Sequence, residues 1–223
     1  MLWGGVFTFT NAWFESVSGY TTTGSTILVN IEGLPASLLF WRAATHWIGG
    51  IGIIIFVLAV LPFIGIAEVV LFRSEISSMV QQNFHHRARK AIQILAGVYV
   101  GLTLAETIAL YIAGMPLFDA VTHSFATIAT GGFSPKNASI AYYHSPVIEV
   151  IVIIFMILSG MHFALLFSAS TGKLNLFWRS TVLKFYLFFL LFGVIFSTTD
   201  LWLIKHMEFL SALRYASFNI TYA

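Results

Sequence analysis

The segment "SGYTTTGSTIL" (Ser18–Leu28) is a short polar stretch, rich in threonine and glycine, that lies between strongly apolar segments. The chain around it is 58% hydrophobic and 9% charged, with a mean hydropathy of +0.89. Soluble domains contain far fewer apolar and far more charged residues, so this composition predicts a membrane protein. The polar, glycine-containing segment therefore needs an explanation within a membrane.

Charge and cysteine content exclude several classes of function. A formal net charge of +2 is too small to indicate a nucleic-acid-binding protein, and a chain without cysteine has neither disulfides nor thiolate metal ligands. His46, His123 and His162 lie by or within apolar segments without a set of cysteine, histidine or carboxylate ligands at metal-ligand spacing, so we expect no metal centre there. The first residues, "MLWGGVFTFTNAWF", lack the basic region and cleavage site of a signal peptide.

Four apolar segments reach the length of about 20 residues that a helix needs to cross a bilayer. They cover residues 48–72, 91–113, 146–169 and 182–204. Basic residues are concentrated between the first and second segments and between the third and fourth, whereas the connection 114–145 carries only Lys136. By the positive-inside rule the basic connections face the cytoplasm, and the threonine- and glycine-rich segment faces outside.

A second segment of the same kind follows the second span. Written from a shared alanine, the two read "AWFESVSGYTTTGS" and "AVTHSFATIATGGF", which places Gly24 in register with Gly132. A second landmark lies in the following apolar segments, "WIGGIGI" and "LSGMHF", where Gly50 and Gly160 are separated by almost the same length of chain. Two nearly equal spacings indicate an internal repeat.

The short segments before these glycines, residues 10–19 and 118–127, are too short to span and are predicted to enter the membrane and return. Non-helical backbone occurs at membrane depth only where protein buries it or water lines it. A threonine- and glycine-rich loop there can direct carbonyl and hydroxyl oxygens at a monovalent cation and replace its hydration shell. The preceding helix directs its negative C-terminal end at the same ion. The sequence therefore predicts a pore lining.

The glycines of the apolar segments are predicted to serve helix packing or bending. The "GGIG" run is followed by no Lys-Ser/Thr pair and lies in an apolar helix, so a phosphate loop is not supported. Small residues let membrane helices approach closely. This interpretation covers Gly49, Gly50, Gly52 and Gly160.

Four longer stretches closely resemble the membrane subunits of Trk/Ktr/HKT-type potassium transporters. They are "FESVSGYTTTGSTIL", "WRAATHWIGGIGIIIFVLAVLP", "HSFATIATGGFSPKNASI" and "FMILSGMHFALLF". The resemblance implies an all-α polytopic membrane protein built from M1–pore helix–M2 repeats with re-entrant filter loops, in pseudo-fourfold arrangement in the full-length protein. It implies that the first filter strand is Thr21, Thr22, Thr23, Gly24 and Ser25, and the second is Ala129, Thr130, Gly131, Gly132 and Phe133. Potassium would bind backbone carbonyls near Thr22, Thr23, Gly24, Thr130 and Gly131.

The resemblance also divides the chain. Residues 1–72 would supply the pore helix, filter strand and M2 of repeat 1, and 73–90 a cytoplasmic basic loop. Residues 91–169 would form repeat 2, 170–181 a second cytoplasmic loop, and 182–223 the M1 and partial pore helix of repeat 3. Two of four filter strands cannot close a ring, so we expect that these residues alone do not conduct, whereas the parent protein does.

The implied function is potassium uptake across a bacterial inner membrane, with the filter side outside and potassium as the transported ion. It requires no covalent cofactor and no enzymatic chemistry. The family pairs as homodimers and binds a cytoplasmic nucleotide-binding regulatory subunit of the TrkA/KtrA type, to which the basic loop 73–90 would contribute. Partners are therefore lipid and protein, without nucleic acid.

Other interpretations stay open at this point. A Na⁺- or H⁺-coupled secondary cation transporter also uses repeats with broken helices. An intramembrane serine hydrolase would pair Ser18 or Ser25 with His162 as base, but Ser25 corresponds to Phe133 in the repeat and His162 corresponds to no histidine of the first unit. Glu106 and Glu149 lie in or near apolar spans and are candidates for an ion pathway. Selectivity for K⁺ over Na⁺ is not determined by the first two strands.

Overall fold

The structure, a computed structural model, describes residues 8–64, 78–170, 172 and 174–222, and these residues form helices and connections without strands. The all-helical class predicted from the sequence is confirmed. In chain order the helices are α1 (Phe9–Tyr20), α2 (Ala36–Ile64), α3 (Ser78–Ile112), α4 (Leu117–Ile128), α5 (Pro146–Ser159), α6 (Phe163–Ser170), α7 (Leu174–Arg179), α8 (Thr181–Leu203) and α9 (Phe209–Tyr222). A 3₁₀ turn, Ser139–Tyr143, lies between α4 and α5.

Helices α1 and α4 are the two short helices that the sequence predicts, and they match each other residue for residue. Each has 12 residues, and their first residues, Phe9 and Leu117, have the same separation as Gly24 and Gly132. The Thr8 side chain caps α1 by accepting a hydrogen bond from the backbone N–H of Asn11 at 3.3 Å, whereas α4 begins after Pro116. The repeat therefore extends from sequence to local structure.

Two helical stretches of the described residues are long and apolar enough to cross a membrane, namely Lys90–Ile112 within α3 and Thr181–Leu203, which is α8. The shorter α5 is also apolar. The first predicted span, 48–72, overlaps α2, but its last residues lie outside the described part of the chain.

Helix α3 begins well before its apolar stretch. Its 35 residues start at Ser78, so the segment predicted as a basic loop, 73–90, is helical from residue 78 onward. The sequence "SMVQQNFHHRARK" contains no glycine or proline, and all of its residues are tolerated in a helix. Charge marked this segment as lying outside the membrane, but charge alone does not end a helix.

The predicted span 146–169 is interrupted rather than bent. Helix α5 ends at Ser159, and α6 begins at Phe163 after a turn in which the Met161 N–H donates to the Leu158 carbonyl at 3.2 Å. That turn leaves the carbonyl of Ile157 without its usual helical donor, and the Tyr186 hydroxyl of α8 donates to it at 3.1 Å. A neighbouring helix thus stabilises the break.

The glycines of α2 differ in their surroundings. A Cβ at Gly49 would collide with the backbone carbonyl of Tyr20, and one at Gly50 would lie 2.6 Å from the Tyr99 hydroxyl. A Cβ at Gly52 would have nothing within 4 Å among the described residues. Helix α2 therefore approaches the end of α1 at Gly49, in the manner of close-packed membrane helices.

Replacing Gly49 with alanine should lower the free energy of unfolding by about 1–3 kcal/mol, because the Tyr20 backbone must move to admit the new methyl group. The matched Gly52→Ala change should be neutral or stabilising by up to about 1 kcal/mol, since alanine is the better helix former. Thermal unfolding of the complete gene product in detergent measures both. Equal destabilisation by the two changes would contradict this packing.

Candidate functional site

The loops that follow α1 and α4 have the same backbone conformation. Thr22 and Thr130 both adopt left-handed geometry, with φ of 55° and 54°, and Gly24 and Gly132 follow with φ of 76° and 84°. Both pairs of residues match at the spacing of the sequence repeat. Left-handed geometry costs a threonine about 1–2 kcal/mol, and strain of this kind concentrates at functional sites.

Both loops leave their helix through the same hydrogen bonds. In each, the left-handed threonine donates to the carbonyl three residues back, and the next residue donates to the carbonyl five residues back, which is a Schellman motif. The backbone bonds measure 2.8–3.0 Å and join Thr22 to Gly19, Thr23 to Ser18, Thr130 to Thr127 and Gly131 to Ala126. The two helix ends therefore fix the start of both loops identically.

The two loops lie against each other at their glycines. A Cβ at Gly24 would collide with the carbonyl oxygen of Gly131, and a Cβ at Gly131 would collide with the His46 ring. At Gly132 a Cβ would lie 2.6 Å from the Tyr222 hydroxyl of α9. Glycine is required here because the space is filled by backbone and by side chains of neighbouring helices.

A cavity of about 240 Å³ lies beside the second loop. Its walls include Thr130, Gly131, Gly132 and Phe133 of that loop, together with Thr23 of the first. The remaining predicted filter residues, Thr21, Thr22, Gly24, Ser25 and Ala129, do not line it. The cavity thus brings together part of each predicted strand.

The side chains of the predicted strands differ in exposure. Ala129 and Phe133 are buried, whereas Thr21, Thr23 and Ser25 are exposed. The hydroxyls of Thr21 and Thr23 lie 2.8 Å apart and share a hydrogen bond. In the second loop Ala129 and Phe133 thus pack into the protein while Thr130 stays exposed, and in the first loop Thr21, Thr23 and Ser25 leave hydroxyl oxygens accessible.

A buried ion pair, which the sequence patterns did not predict, connects the two loops. Glu15 of α1 and Arg42 of α2 are 0% and 3% exposed in their side chains, and Arg42 Nε donates to Glu15 Oε2 at 3.0 Å. The sequence did contain a sign of this pair, because Glu15 and Arg42 both lie in otherwise apolar or aromatic segments. An ionisable residue in such a segment is usually paired with an opposite charge.

Each member of this pair also holds the far end of one loop. Glu15 Oε1 accepts hydrogen bonds from the Thr26 hydroxyl at 2.6 Å and from the Ile27 N–H at 2.8 Å. Arg42 donates to the Ser134 carbonyl at 3.1 Å, and its guanidinium lies 3.6 Å from the centroid of the Phe133 ring. One ion pair therefore fixes where both loops leave the site.

Residues 2–213 match the family TrkH, described as cation transport protein. The chain belongs to the TrkH family. The resemblance drawn from the quoted stretches is confirmed.

Curated relatives of this TrkH-family chain carry names from the same transport system. The Trk system potassium uptake protein TrkH of Salmonella typhimurium is 42% identical over 197 residues, which is 87% of this chain and 41% of the relative. The TrkH protein of Escherichia coli K12 is 42% identical over 208 residues, which is 92% and 43% of the two chains. The Trk system potassium uptake protein TrkG of the same strain is 33% identical over 220 residues, which is 96% of this chain and 45% of TrkG. This chain spans about two fifths of the length of these relatives.

A solved structure has the same fold. The crystal structure of the potassium transporter TrkH from Vibrio parahaemolyticus superimposes with a TM-score of 0.81 at 32% sequence identity, over 97% of this chain and 44% of that one. The helical arrangement described above is therefore that of a TrkH membrane protein.

The two carboxyl groups in or near apolar segments, Glu106 and Glu149, have different surroundings in this TrkH-family chain. Glu106 is fully buried, and Thr127 is the hydrogen-bonding side chain beside its carboxyl group. Glu149, in the first turn of α5, forms an ion pair with Arg214 of α9 at 3.0 Å. An ion-pathway role stays a prediction for both, with Glu149 also linking two helices.

Ser18, one proposed nucleophile of a hydrolase, has a structural contact in the loop. Its hydroxyl donates to the Ser25 carbonyl at 2.6 Å, which holds the first loop against the end of α1. The other proposed nucleophile, Ser25, is exposed. The named relatives are potassium uptake proteins of the Trk system.

Replacing Arg42 with methionine should lower the free energy of unfolding by about 3–5 kcal/mol, because it leaves the buried Glu15 carboxylate unpaired. The double variant Glu15→Gln/Arg42→Met should lose less, since no unpaired charge stays buried. Arg214→Met is the matched control, because its pair with Glu149 is partly exposed and should contribute about 0–1 kcal/mol. Unfolding of the complete gene product in detergent tests this ranking, and equal losses for the two arginine changes would refute it.

Proposed function

We propose that this chain supplies two strands of a potassium-selective filter in a subunit that takes up potassium across a bacterial inner membrane. The observation that carries the proposal is the matched pair of loops, each with a left-handed threonine and a positive-φ glycine, which meet at Gly24 and Gly131. Repeated strained loops that meet backbone to backbone suit an ion filter better than a packing motif.

The proposed chemistry is replacement of the hydration shell of potassium by backbone oxygens. Carbonyls near Thr22, Thr23, Gly24, Thr130 and Gly131 would bind the ion, with hydroxyls of the first loop as further ligands. The C-terminal ends of α1 and α4 adjoin these loops, and their partial negative charge favours a cation there. Further strands in the complete protein would close the ring around the ion.

The relatives support this assignment. They are named potassium uptake proteins of the Trk system, and a solved TrkH structure has the same fold. Since this chain spans about two fifths of those relatives, the uptake activity of the whole protein belongs to the proposal. The distribution of basic residues supports an outward-facing filter and cytoplasmic ends at 73–90 and 170–181.

The proposed partners are a second copy of the complete protein and a cytoplasmic regulatory subunit of the TrkA/KtrA type that binds nucleotide. The basic segment 73–90 faces the cytoplasm in the proposed orientation and is helical from residue 78, so it would offer a regular surface for such a subunit.

A coupled secondary transporter is the second candidate. The observation that favours it is the interrupted helix at Gly160, since discontinuous helices at the substrate site are common in carriers. A carrier alternates access and its flux saturates at the rate of that conformational cycle, whereas a filter gives a continuous path. Flux per molecule measured against potassium concentration therefore separates the two.

Rubidium uptake into proteoliposomes that contain the complete gene product tests the filter. The wild-type protein should take up rubidium in preference to sodium, and Gly132→Asp should abolish that uptake or its preference, because a side chain there enters space held by Tyr222 and changes the backbone of the second loop.

The matched control is Gly114→Asp. Gly114 also has a positive φ, of 96°, but it lies outside both loops, and a Cβ there would have nothing within 4 Å among the described residues. This change should leave rubidium selectivity intact. Unchanged uptake in Gly132→Asp would refute the filter assignment, and a folded wild-type protein that transports no rubidium with its regulatory partner present would refute potassium uptake.

A further inference from the structure

The positive charge nearest to the second loop in sequence is Lys136, which closely follows Gly132. Its side chain is 22% exposed, and its ammonium lies 3.8 Å from Asp119 Oδ2 and 4.5 Å from the centroid of the Tyr142 ring. A carboxylate and an aromatic face thus hold a charge that lysine otherwise directs into solvent.

Asp119 is itself held in place. It lies in the first turn of α4, where the helix dipole favours a carboxylate, and its side chain is 10% exposed. The Tyr143 hydroxyl donates a hydrogen bond to the same oxygen, Oδ2, at 2.7 Å. Burial and the neighbouring Asp119 carboxylate raise the pKa of Tyr143, so this donor keeps its proton. The carboxylate therefore has a fixed position between a tyrosine and a lysine.

The location of this charge matters for an incoming cation. The stretch of backbone from Gly132 to Lys136 spans at most about 14 Å, so the Cα atoms of these two residues lie within that distance of each other. A free unit charge about 10 Å from a cation's path repels it enough to slow entry about two- to fourfold at low ionic strength. The Asp119 carboxylate lies where it cancels that charge.

We propose that Asp119 is a positioning residue that holds Lys136 against Tyr142 and cancels its charge at the entrance of the second filter loop. This inference rests on the proposed potassium uptake. Glu32, whose carboxylate accepts from the Asn137 N–H at 3.2 Å, is a further charge near this entrance, and it is unchanged in the variants below.

A double-mutant cycle on Asp119 and Lys136 in the complete gene product tests the inference. Asp119→Asn leaves Lys136 uncompensated, Lys136→Met leaves Asp119 uncompensated, and the double variant restores the original net charge. At low ionic strength, initial rubidium uptake should fall about two- to fourfold in Asp119→Asn, rise in Lys136→Met, and return close to wild type in the double variant. In about 0.5 M impermeant salt, where the Debye length is only about 4 Å, the differences should largely vanish.

Lys205→Met is the matched control, because it removes one lysine charge from the α8–α9 connection rather than from the filter loop. It should leave uptake unchanged at both ionic strengths. A merely structural role for Asp119 would lower uptake at both ionic strengths without rescue by Lys136→Met, and that result would overturn the inference. Absence of rubidium uptake by the folded wild-type protein would instead overturn the proposed function on which the inference rests.

Discussion

The buried ion pair between Glu15 and Arg42 is the interaction on which the arrangement of the two loops depends. Each loop begins at a helix end that its own backbone fixes, and the Ser18 hydroxyl holds Ser25 locally, but the residues that follow the two loops are held by this ion pair. Glu15 binds the first loop after its glycine and Arg42 binds the second. Because removing either charge leaves the other unpaired in a buried environment, the two loops are coupled through one electrostatic contact.

The Glu15–Arg42 ion pair has no counterpart in the second unit, although the loop itself is repeated there. At the repeat spacings, the position of Glu15 corresponds to His123 and that of Arg42 corresponds to Val152, so the second unit has no equivalent ion pair. Nearly identical backbone conformations are thus held by different side chains. The second loop instead has His46 stacked on Phe133, with ring centroids 3.9 Å apart, and Ser159 donating to the Thr127 carbonyl at 3.3 Å. Backbone symmetry persists while the supporting contacts have diverged.

The sequence predicted the parts of the fold that depend on local chemistry. Short amphipathic segments followed by threonine and glycine identified α1, α4 and their loops, and hydropathy located α8. It did not predict the interruption at Gly160, because that break depends on a hydroxyl from Tyr186, which belongs to a later helix, α8. It also did not assign partners to Glu15 and Arg42, since pairing across two helices and two loops is a tertiary contact. Contacts distant in sequence account for both omissions.

The left-handed threonines have a further consequence for how tightly the loops hold their shape. Glycine is the usual residue at such a position and would remove the strain, but it would also allow the backbone many other conformations. A β-branched residue is strained at positive φ and stays there only where the surrounding contacts over-determine the backbone, so the loops at Thr22 and Thr130 are held stiffly by those contacts. A stiff ring of oxygens contracts little around a smaller ion, and stiffness of this kind is one way in which a cage distinguishes ions by radius.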